Sequence, residues 1–184
     1  MNRSKIHHLT GLAIMSAIVV VLQLLGSFIR FGPASVSLVL VPIVVGAAVF
    51  GPSAGALLGG VFSVVVLLQP DTAFFYGISF FGTVLTVLTK GIMSGWLSGL
   101  AFRAVRGKYE ILAVILSAAI CPIVNTGIFS IGCRLFFWDA LVEMGNGNAL
   151  YFLLTGMIGL NFIAEFIFNI VCGPVIVRVL HALK

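Results

Sequence analysis

Three ionisable side chains, Lys90, Arg134 and Glu165, occur inside long apolar stretches of the sequence. A charge near the centre of a bilayer costs at least about 2.5 kcal/mol, so such groups are expected to face the protein interior and to find partners there. Lys90 and Glu165 lie roughly halfway along their stretches and are able to pair with each other. The Arg134 guanidinium suits a carboxylate, either of the protein or of a ligand. These three residues could therefore contact a ligand. In the alternative interpretation none of them does: Lys90 and Glu165 form a purely structural ion pair, and Arg134 extends to the outer headgroups.

Asparagines accompany these charges. Asn161 and Asn169 each lie four residues from Glu165, and Asn125 follows Pro122 in another apolar stretch. Residues four apart share one face of a helix. The sequence therefore predicts a polar stripe that faces away from lipid, where its amides bind either neighbouring helices or a ligand.

Several kinds of catalytic or metal-binding motif are missing from the sequence. It has no phosphate-binding Walker loop, and no apolar stretch contains Asp or His at a suitable depth. The three cysteines, Cys121, Cys133 and Cys172, do not have the spacing of metal ligands. We therefore expect no enzyme activity, no metal and no cofactor.

The composition indicates a membrane protein. Of the 184 residues, 61% are hydrophobic and 8% are charged, and the mean hydropathy is +1.25. Soluble domains carry roughly a quarter charged residues. Polar side chains are here too few to cover a surface in water, so the solvent must be lipid. We expect one integral all-α membrane domain over residues 1–184.

The apolar runs predict six transmembrane helices in one bundle. They cover about residues 9–29, 36–50, 54–68, 78–102, 111–137 and 150–180. A span needs about 20 apolar residues, so the second and third runs are short and are expected to be tilted or shielded by neighbours. The runs lack the alternation of polar and apolar residues that is typical of barrel strands.

The charged residues between the runs predict the orientation. With six spans and a cytoplasmic N-terminus, the inner segments contain most of the basic residues, namely Arg3, Lys5, Arg103, Arg106, Lys108, Arg178 and Lys184. The outer loops then contain Asp71, Asp139 and Glu143, with Arg30 as their only basic residue. This asymmetry fits the positive-inside rule and places both termini in the cytoplasm.

Small residues recur at intervals of four. Gly51, Gly55 and Gly59 begin the third run, Gly91, Gly95 and Gly99 lie in the fourth, and Ala13 and Ala17 lie in the first. Such faces let helices approach closely, and most of them are expected to serve packing within the bundle.

Taken in order, these motifs resemble the substrate-binding (S) component of energy-coupling factor (ECF) vitamin transporters. The resemblance is carried by Ala13-x3-Ala17, FGPAS at 31–35 with Pro42, FGPSAG at 50–55, Lys90-Gly91, PIVNTGIF at 122–129, and Asn161-x3-Glu165-x3-Asn169 with Pro174. It implies a six-helix protein of a bacterial cell membrane. Such a protein binds a micronutrient from outside, in its outer half among the last three helices.

The resemblance also implies partners. In this family an Ala-x3-Ala face of the first helix docks onto a shared transmembrane coupling subunit, which two cytoplasmic ATPases drive. Ala13 and Ala17 would form that face here. ATP hydrolysis is then expected only in the partner subunits.

For the substrate, VNTGIF at 124–129 is most similar to the pantothenate-specific branch. The resemblance implies that a cation binds the pantothenate carboxylate, that polar groups bind its hydroxyls and amide, and that aromatic rings pack against its dimethyl group. The candidates are Arg134 or Lys90 as the cation, Asn125, Thr126, Asn161 and Glu165 as polar groups, and Tyr76 and Phe129 as aromatic rings. The aromatic residues could equally form an interfacial belt.

Three other interpretations remain open from the sequence. One is an S component for another vitamin, such as cobalamin or folate, because one scaffold serves many ligands. Another is a self-contained channel or facilitator whose pore is lined by Lys90 and Glu165. The third is a membrane scaffold without a ligand.

Overall fold

The protein is described here by a computed structural model that covers residues 3–26, 30–31, 34–35, 39–107 and 109–182. The helices are α1 (Arg3–Gly26), α2 (Leu40–Phe50), α3 (Pro52–Leu67), α4 (Ala73–Ile78), α5 (Phe80–Val105), α6 (Glu110–Phe136), α7 (Trp138–Met144), α8 (Ala149–Phe152), α9 (Gly159–Val171) and α10 (Gly173–Ala182). A 3-10 turn (Pro70–Thr72) precedes α4, and a π-helical segment (Leu153–Ile158) joins α8 to α9. Two short strands, β1 (Arg30–Phe31) and β2 (Ala34–Ser35), pair antiparallel. The predicted all-α fold is confirmed.

Four helical stretches in the described chain are long and apolar enough to cross a membrane. They are His8–Gly26, Phe80–Val105, Glu110–Phe136 and Ala149–Arg178. Pro52–Leu67 and Pro70–Ile78 together would make a fifth span, bent by 75°. The count of six spans stays a prediction, because α2 has only 11 residues, or roughly 16 Å at 1.5 Å per residue. Residues 27–29 of the first predicted span and 36–38 of the second lie outside the described residues.

The break between α2 and α3 lies at the Gly-Pro pair noted in the sequence. Gly51 has φ 99°, a conformation that side chains with a Cβ rarely adopt. Pro52 follows at the first turn of α3, where its missing N–H has no helical partner to lose. The chain therefore reverses within one residue, and α2 and α3 pack against each other.

The short helix α2 is enclosed by the rest of the bundle. Leu40, Ile43 and Val44 are almost fully buried, in an apolar cluster with residues of α1, α3, α5, α6 and α10. A helix without a polar face does not form an amphipathic surface. Burial within the bundle explains why α2 is stable although it is shorter than a membrane span.

Glycines bring α3 and α5 into backbone contact. A Cβ on Gly59 would overlap the carbonyl oxygen of Gly91, and a Cβ on Gly55 would overlap that of Gly95. The Ser63 hydroxyl donates a hydrogen bond across the same interface to the carbonyl oxygen of Val87, at 2.7 Å. This contact fixes the position of the first half of α5 relative to α3.

Candidate functional site

A cavity of about 140 Å³ lies at one end of the bundle. Its walls come from the last turn of α1, the end of α3 with the following 3-10 turn and α4, the first half of α5, the second half of α6, the π-helical segment and the first half of α9. Because α1 ends at the cavity, the N-terminus of α1 lies toward the opposite end of the bundle.

A lysine and a glutamate from two different helices line this cavity. Lys90 lies on α5 and Glu165 on α9, and the two side chains attract each other electrostatically. The Lys90 ammonium also lies 5.1 Å from the ring centroid of Phe129 and 5.8 Å from that of Phe62. Aromatic faces stabilise a cation when water is excluded. The site therefore places both ionisable groups in a largely apolar surrounding.

Neutral polar groups surround this charge pair and present unused hydrogen-bonding capacity. Asn125 and Asn161 are both buried, and the side-chain oxygen of each has no hydrogen-bond partner. The Asn161 amide donates to the carbonyl oxygen of Met157 at 3.2 Å. The hydroxyl of Thr86 is also buried without a partner. Buried polar groups are nearly always satisfied by protein or ordered water, so these atoms are able to bind water or the hydrogen-bonding groups of a ligand.

Aromatic rings form the apolar wall of the cavity. The ring centroid of Phe75 lies 5.8 Å from that of Phe129 and 5.0 Å from that of Phe137, both in edge-to-face contact. Rings held in this way are rigid and present an apolar surface with little conformational freedom to lose. Such a wall suits a branched aliphatic or aromatic part of a small solute.

Six of the eight substrate-binding residues expected from the sequence line this cavity together. They are Lys90, Asn125, Thr126, Phe129, Asn161 and Glu165. The resemblance had placed the site among the last three helices, whereas α1 and the end of α3 contribute to its wall as well.

Arg134 lies elsewhere. Its side chain is exposed, and its guanidinium stacks at 4.4 Å over the ring of Trp138. Arg134 follows Asn125 by nine residues, and at about 100° per residue this places it on the opposite side of α6. The chemistry of its guanidinium had suggested Arg134 as a ligand contact, but the direction of its helix face keeps it outside the described cavity wall.

Tyr76 is also outside the cavity wall. Its hydroxyl donates to the carbonyl oxygen of Leu67 at 2.9 Å, and its ring stacks on Phe80. In the short helix α4 the preceding residue, Phe75, faces the cavity instead. The sequence indicated an aromatic contact at this point but named the neighbouring ring.

Several cavity residues were not predicted from the sequence. They are Gln23, Val66, Gln69, Asp71, Thr72, Phe75, Thr83, Thr86, Val87, Phe137, Met157, Ile158 and Phe162. Two signals were available. Gln23 is a polar interruption in the first apolar run, and Thr86 precedes Lys90 by four residues and so shares its helix face.

The remaining sequence motifs lie away from the cavity. Ala13 and Ala17 are exposed on one side of α1. Asn169, one turn beyond Glu165, is almost completely buried and does not line the cavity. The polar stripe of α9 thus meets the cavity at Asn161 and Glu165 and enters the core at Asn169.

Comparison with known protein families identifies the chain. Residues 7–177 match the family model described as ECF transporter, substrate-specific component. The match spans nearly the whole sequence. The chain belongs to this family.

Comparisons with curated proteins and with solved structures gave no match. Membership of the family, together with the membrane-spanning helices, makes the chain a membrane-located, substrate-specific subunit of an ECF transporter. Such a subunit binds a small-molecule substrate, associates with the transmembrane and ATPase subunits of the transporter, and is not itself an enzyme. The cavity is the candidate substrate site of this subunit.

Proposed function

We propose that this S component binds pantothenate in the cavity and delivers it to the ECF coupling subunit and its two ATPases. The observation that carries the proposal is the grouping of Lys90, Asn125 and Asn161 around one cavity with an aromatic wall. Pantothenate has a carboxylate, hydroxyls, an amide and a dimethyl group. Each of these groups has a complementary partner in the site.

Lys90 is the proposed partner of the carboxylate. It is the only Lys or Arg among the described residues that line the cavity. Hydrogen bonds in which both partners are charged are about twice as strong as neutral ones. Asn125, Asn161 and Thr86 offer unpaired oxygens to the ligand hydroxyls and amide N–H, and Phe75 and Phe129 face its dimethyl group.

The size of the cavity argues for a small vitamin. Pockets for drug-sized ligands have volumes of roughly 300–1,000 Å³, whereas this cavity measures about 140 Å³. Cobalamin and folate are much larger than pantothenate. Size therefore disfavours these two alternatives.

A second candidate is a small vitamin with a cationic group. Glu165 and Asp71 both line the cavity, whereas Lys90 is the only Lys or Arg among the described residues of its wall. If Glu165 rather than Lys90 binds the substrate, the preferred charge of the ligand is positive. The two candidates predict opposite effects when the charge of Lys90 is removed.

The purified chain is expected to bind pantothenate without ATP and without its partner subunits. Isothermal titration in detergent or nanodiscs measures this directly, with a cationic vitamin such as thiamine and the larger folate as comparisons. Pantothenate binding with no heat from folate is the expected result. Binding of thiamine alone would favour the second candidate. Pantothenate flux through liposomes that hold this chain alone would instead support a self-contained facilitator.

We further propose that both termini lie in the cytoplasm and that the cavity faces outside. Arg103 and Arg106 lie at the end of α5 that is distant from the cavity. Basic residues at that end support a cytoplasmic position for it by the positive-inside rule.

Ala13 and Ala17 are the proposed docking face for the coupling subunit. Both are exposed on α1, and small side chains permit close helix contact. The double replacement Ala13→Leu and Ala17→Leu is expected to weaken copurification with the coupling subunit at least about tenfold, since bulk prevents this approach. Ligand affinity of the isolated chain is expected to stay within about twofold.

The matched control for the docking face is Ile14→Leu, which lies on α1 between the two alanines in sequence and is also exposed. It changes shape without adding bulk and is expected to leave assembly intact. Normal copurification of the Ala13→Leu, Ala17→Leu variant would contradict the proposed face.

A further inference from the structure

Gln23 connects α1 to the cavity. Among the described residues of α1 it is the only one in the cavity wall, and its side chain is 3% exposed. Apart from this point, α1 packs mainly against α2 and α3. A primary amide in an apolar helix is costly to bury unless its hydrogen bonds are made.

Gln69, just beyond α3, holds the Gln23 side chain in one orientation. The Gln23 amide nitrogen donates to the side-chain oxygen of Gln69 at 2.9 Å. The Gln69 amide nitrogen donates in return to the backbone oxygen of Gln23 at 3.2 Å. Both polar ends of Gln69 are thus occupied by Gln23.

One atom of this pair remains available. The side-chain oxygen of Gln23 is buried and has no hydrogen-bond partner. Since the nitrogen of the same amide is held by Gln69, the amide is not free to rotate and satisfy its oxygen elsewhere. A buried acceptor of this kind is expected to meet a donor.

We propose that the Gln23 side-chain oxygen accepts a hydrogen bond from a hydroxyl or N–H group of the bound solute, and that Gln69 is the residue that positions it. This inference rests on the proposed function, because it requires a solute in the cavity. The bound solute then bridges α1 to the cavity walls formed by α5, α6 and α9. Substrate binding therefore restrains the last turn of α1.

The test compares Gln23→Met, Gln69→Met and Leu25→Met by isothermal titration with pantothenate. Gln23→Met removes the acceptor and is expected to lower the affinity roughly five- to fiftyfold, the effect of losing one buried hydrogen bond and leaving its partner unpaired. Gln69→Met leaves the acceptor in place but less ordered, so its loss is expected to be several times smaller. Leu25 is exposed on the same helix, and its replacement is expected to have no effect.

A purely structural role for the two glutamines gives a different result. Gln23→Met removes only the hydrogen bond between the two side chains, whereas Gln69→Met also removes the one to the backbone oxygen of Gln23. A purely structural role would therefore make Gln69→Met at least as damaging as Gln23→Met to both affinity and thermal stability. Equal affinities of Gln23→Met and Gln69→Met, or wild-type affinity of Gln23→Met, would overturn the inference.

Hydrogen exchange of the wild-type chain gives a second measurement that needs no variant. Saturating pantothenate is expected to slow amide exchange at least about threefold in the last turn of α1, and unchanged exchange would overturn the inference.

The failure of the proposed function is distinguishable from the failure of this inference. If pantothenate does not bind but thiamine does, the pantothenate assignment fails, and the same three variants are titrated with thiamine. If neither vitamin binds and none copurifies with the chain by mass spectrometry, both proposals are overturned.

Discussion

Replacing Lys90 with methionine is expected to lower the affinity for pantothenate by between about 30-fold and several thousandfold. Removing one partner of a buried, hydrogen-bonded charge pair typically costs 2–5 kcal/mol, and about 1.4 kcal/mol is a factor of ten. Lys90 is the only cation among the described cavity residues. Methionine has a similar length and fills the same volume, so the variant removes the charge without opening a large void. Isothermal titration of the purified variant measures the loss.

The matched control is Arg134→Met. The structure places this guanidinium over Trp138 on the exposed side of α6, so its removal is expected to change the affinity by less than about twofold. The sequence alone offered both Arg134 and Lys90 as partners of the ligand carboxylate, and this pair of variants decides between the two cations. A large loss in Arg134→Met with normal binding by Lys90→Met would contradict the site proposed here.

The sign of the Lys90 effect also separates the two candidate ligands. For an anionic vitamin, Lys90→Met weakens binding, and Glu165→Gln leaves it unchanged or strengthens it, because a repulsive charge is removed. For a cationic vitamin the signs are reversed, since Glu165 then makes the favourable contact. The Lys90→Met, Glu165→Gln double variant removes one charge of each sign and so leaves the net charge of the site unchanged. Lys90→Met alone has two effects: it removes a ligand contact, and it leaves the Glu165 carboxylate buried without the attraction of Lys90. The double variant removes that carboxylate as well and so measures the first effect separately.

The all-α fold could be predicted from the sequence because a bilayer demands long apolar helices whose backbone groups are satisfied internally. The breaks were equally predictable where the backbone chemistry is special, as at Gly51 and Pro52. The number of membrane spans was harder to predict. Whether a short apolar helix such as α2 crosses the membrane or is enclosed by neighbours depends on tertiary packing, which no local pattern contains.

The charged and amide groups of the site could be predicted from the free-energy cost of exposing polar side chains to lipid. Lys90, Asn125, Asn161 and Glu165 are too polar for lipid, so each had to face the interior. Helix direction was harder to predict. Arg134 has the depth but faces outward, because nothing in an unaligned sequence fixes the rotation of α6 against its neighbours.

The contribution of α1 could not be predicted for a different reason. Gln23 and Gln69 are 46 residues apart, and only the packing of α1 on α3 brings them together. A lone glutamine in an apolar run indicates that its amide has a hydrogen-bond partner in the interior. It does not name the partner.

Replacing Gly59 with alanine is expected to destabilise the folded chain by about 1–3 kcal/mol or more. The added Cβ would overlap the backbone carbonyl of Gly91 on α5, and a backbone atom cannot rotate away as a side chain can. The two helices must separate, and overpacking of a tight interface has costs of this size. The hydrogen bond from Ser63 to Val87 crosses the same contact and is expected to lengthen. Thermal unfolding in detergent measures the change in stability. Unfolding is monitored by the reaction of a fluorogenic maleimide with the thiols of Cys121 and Cys133, which are buried in the folded chain.

The adjacent Gly60→Ala is the control, and it is expected to shift stability in the opposite direction. A Cβ there meets only Ile92, at an ordinary 3.7 Å, while alanine is preferred to glycine within a helix by about 1 kcal/mol. Equal stabilities of the two variants would contradict a backbone contact between α3 and α5. The same contact bears on binding, because Lys90 directly precedes Gly91. Gly59→Ala is therefore expected to weaken pantothenate binding in the fraction that still folds, whereas Gly60→Ala is expected to leave it unchanged.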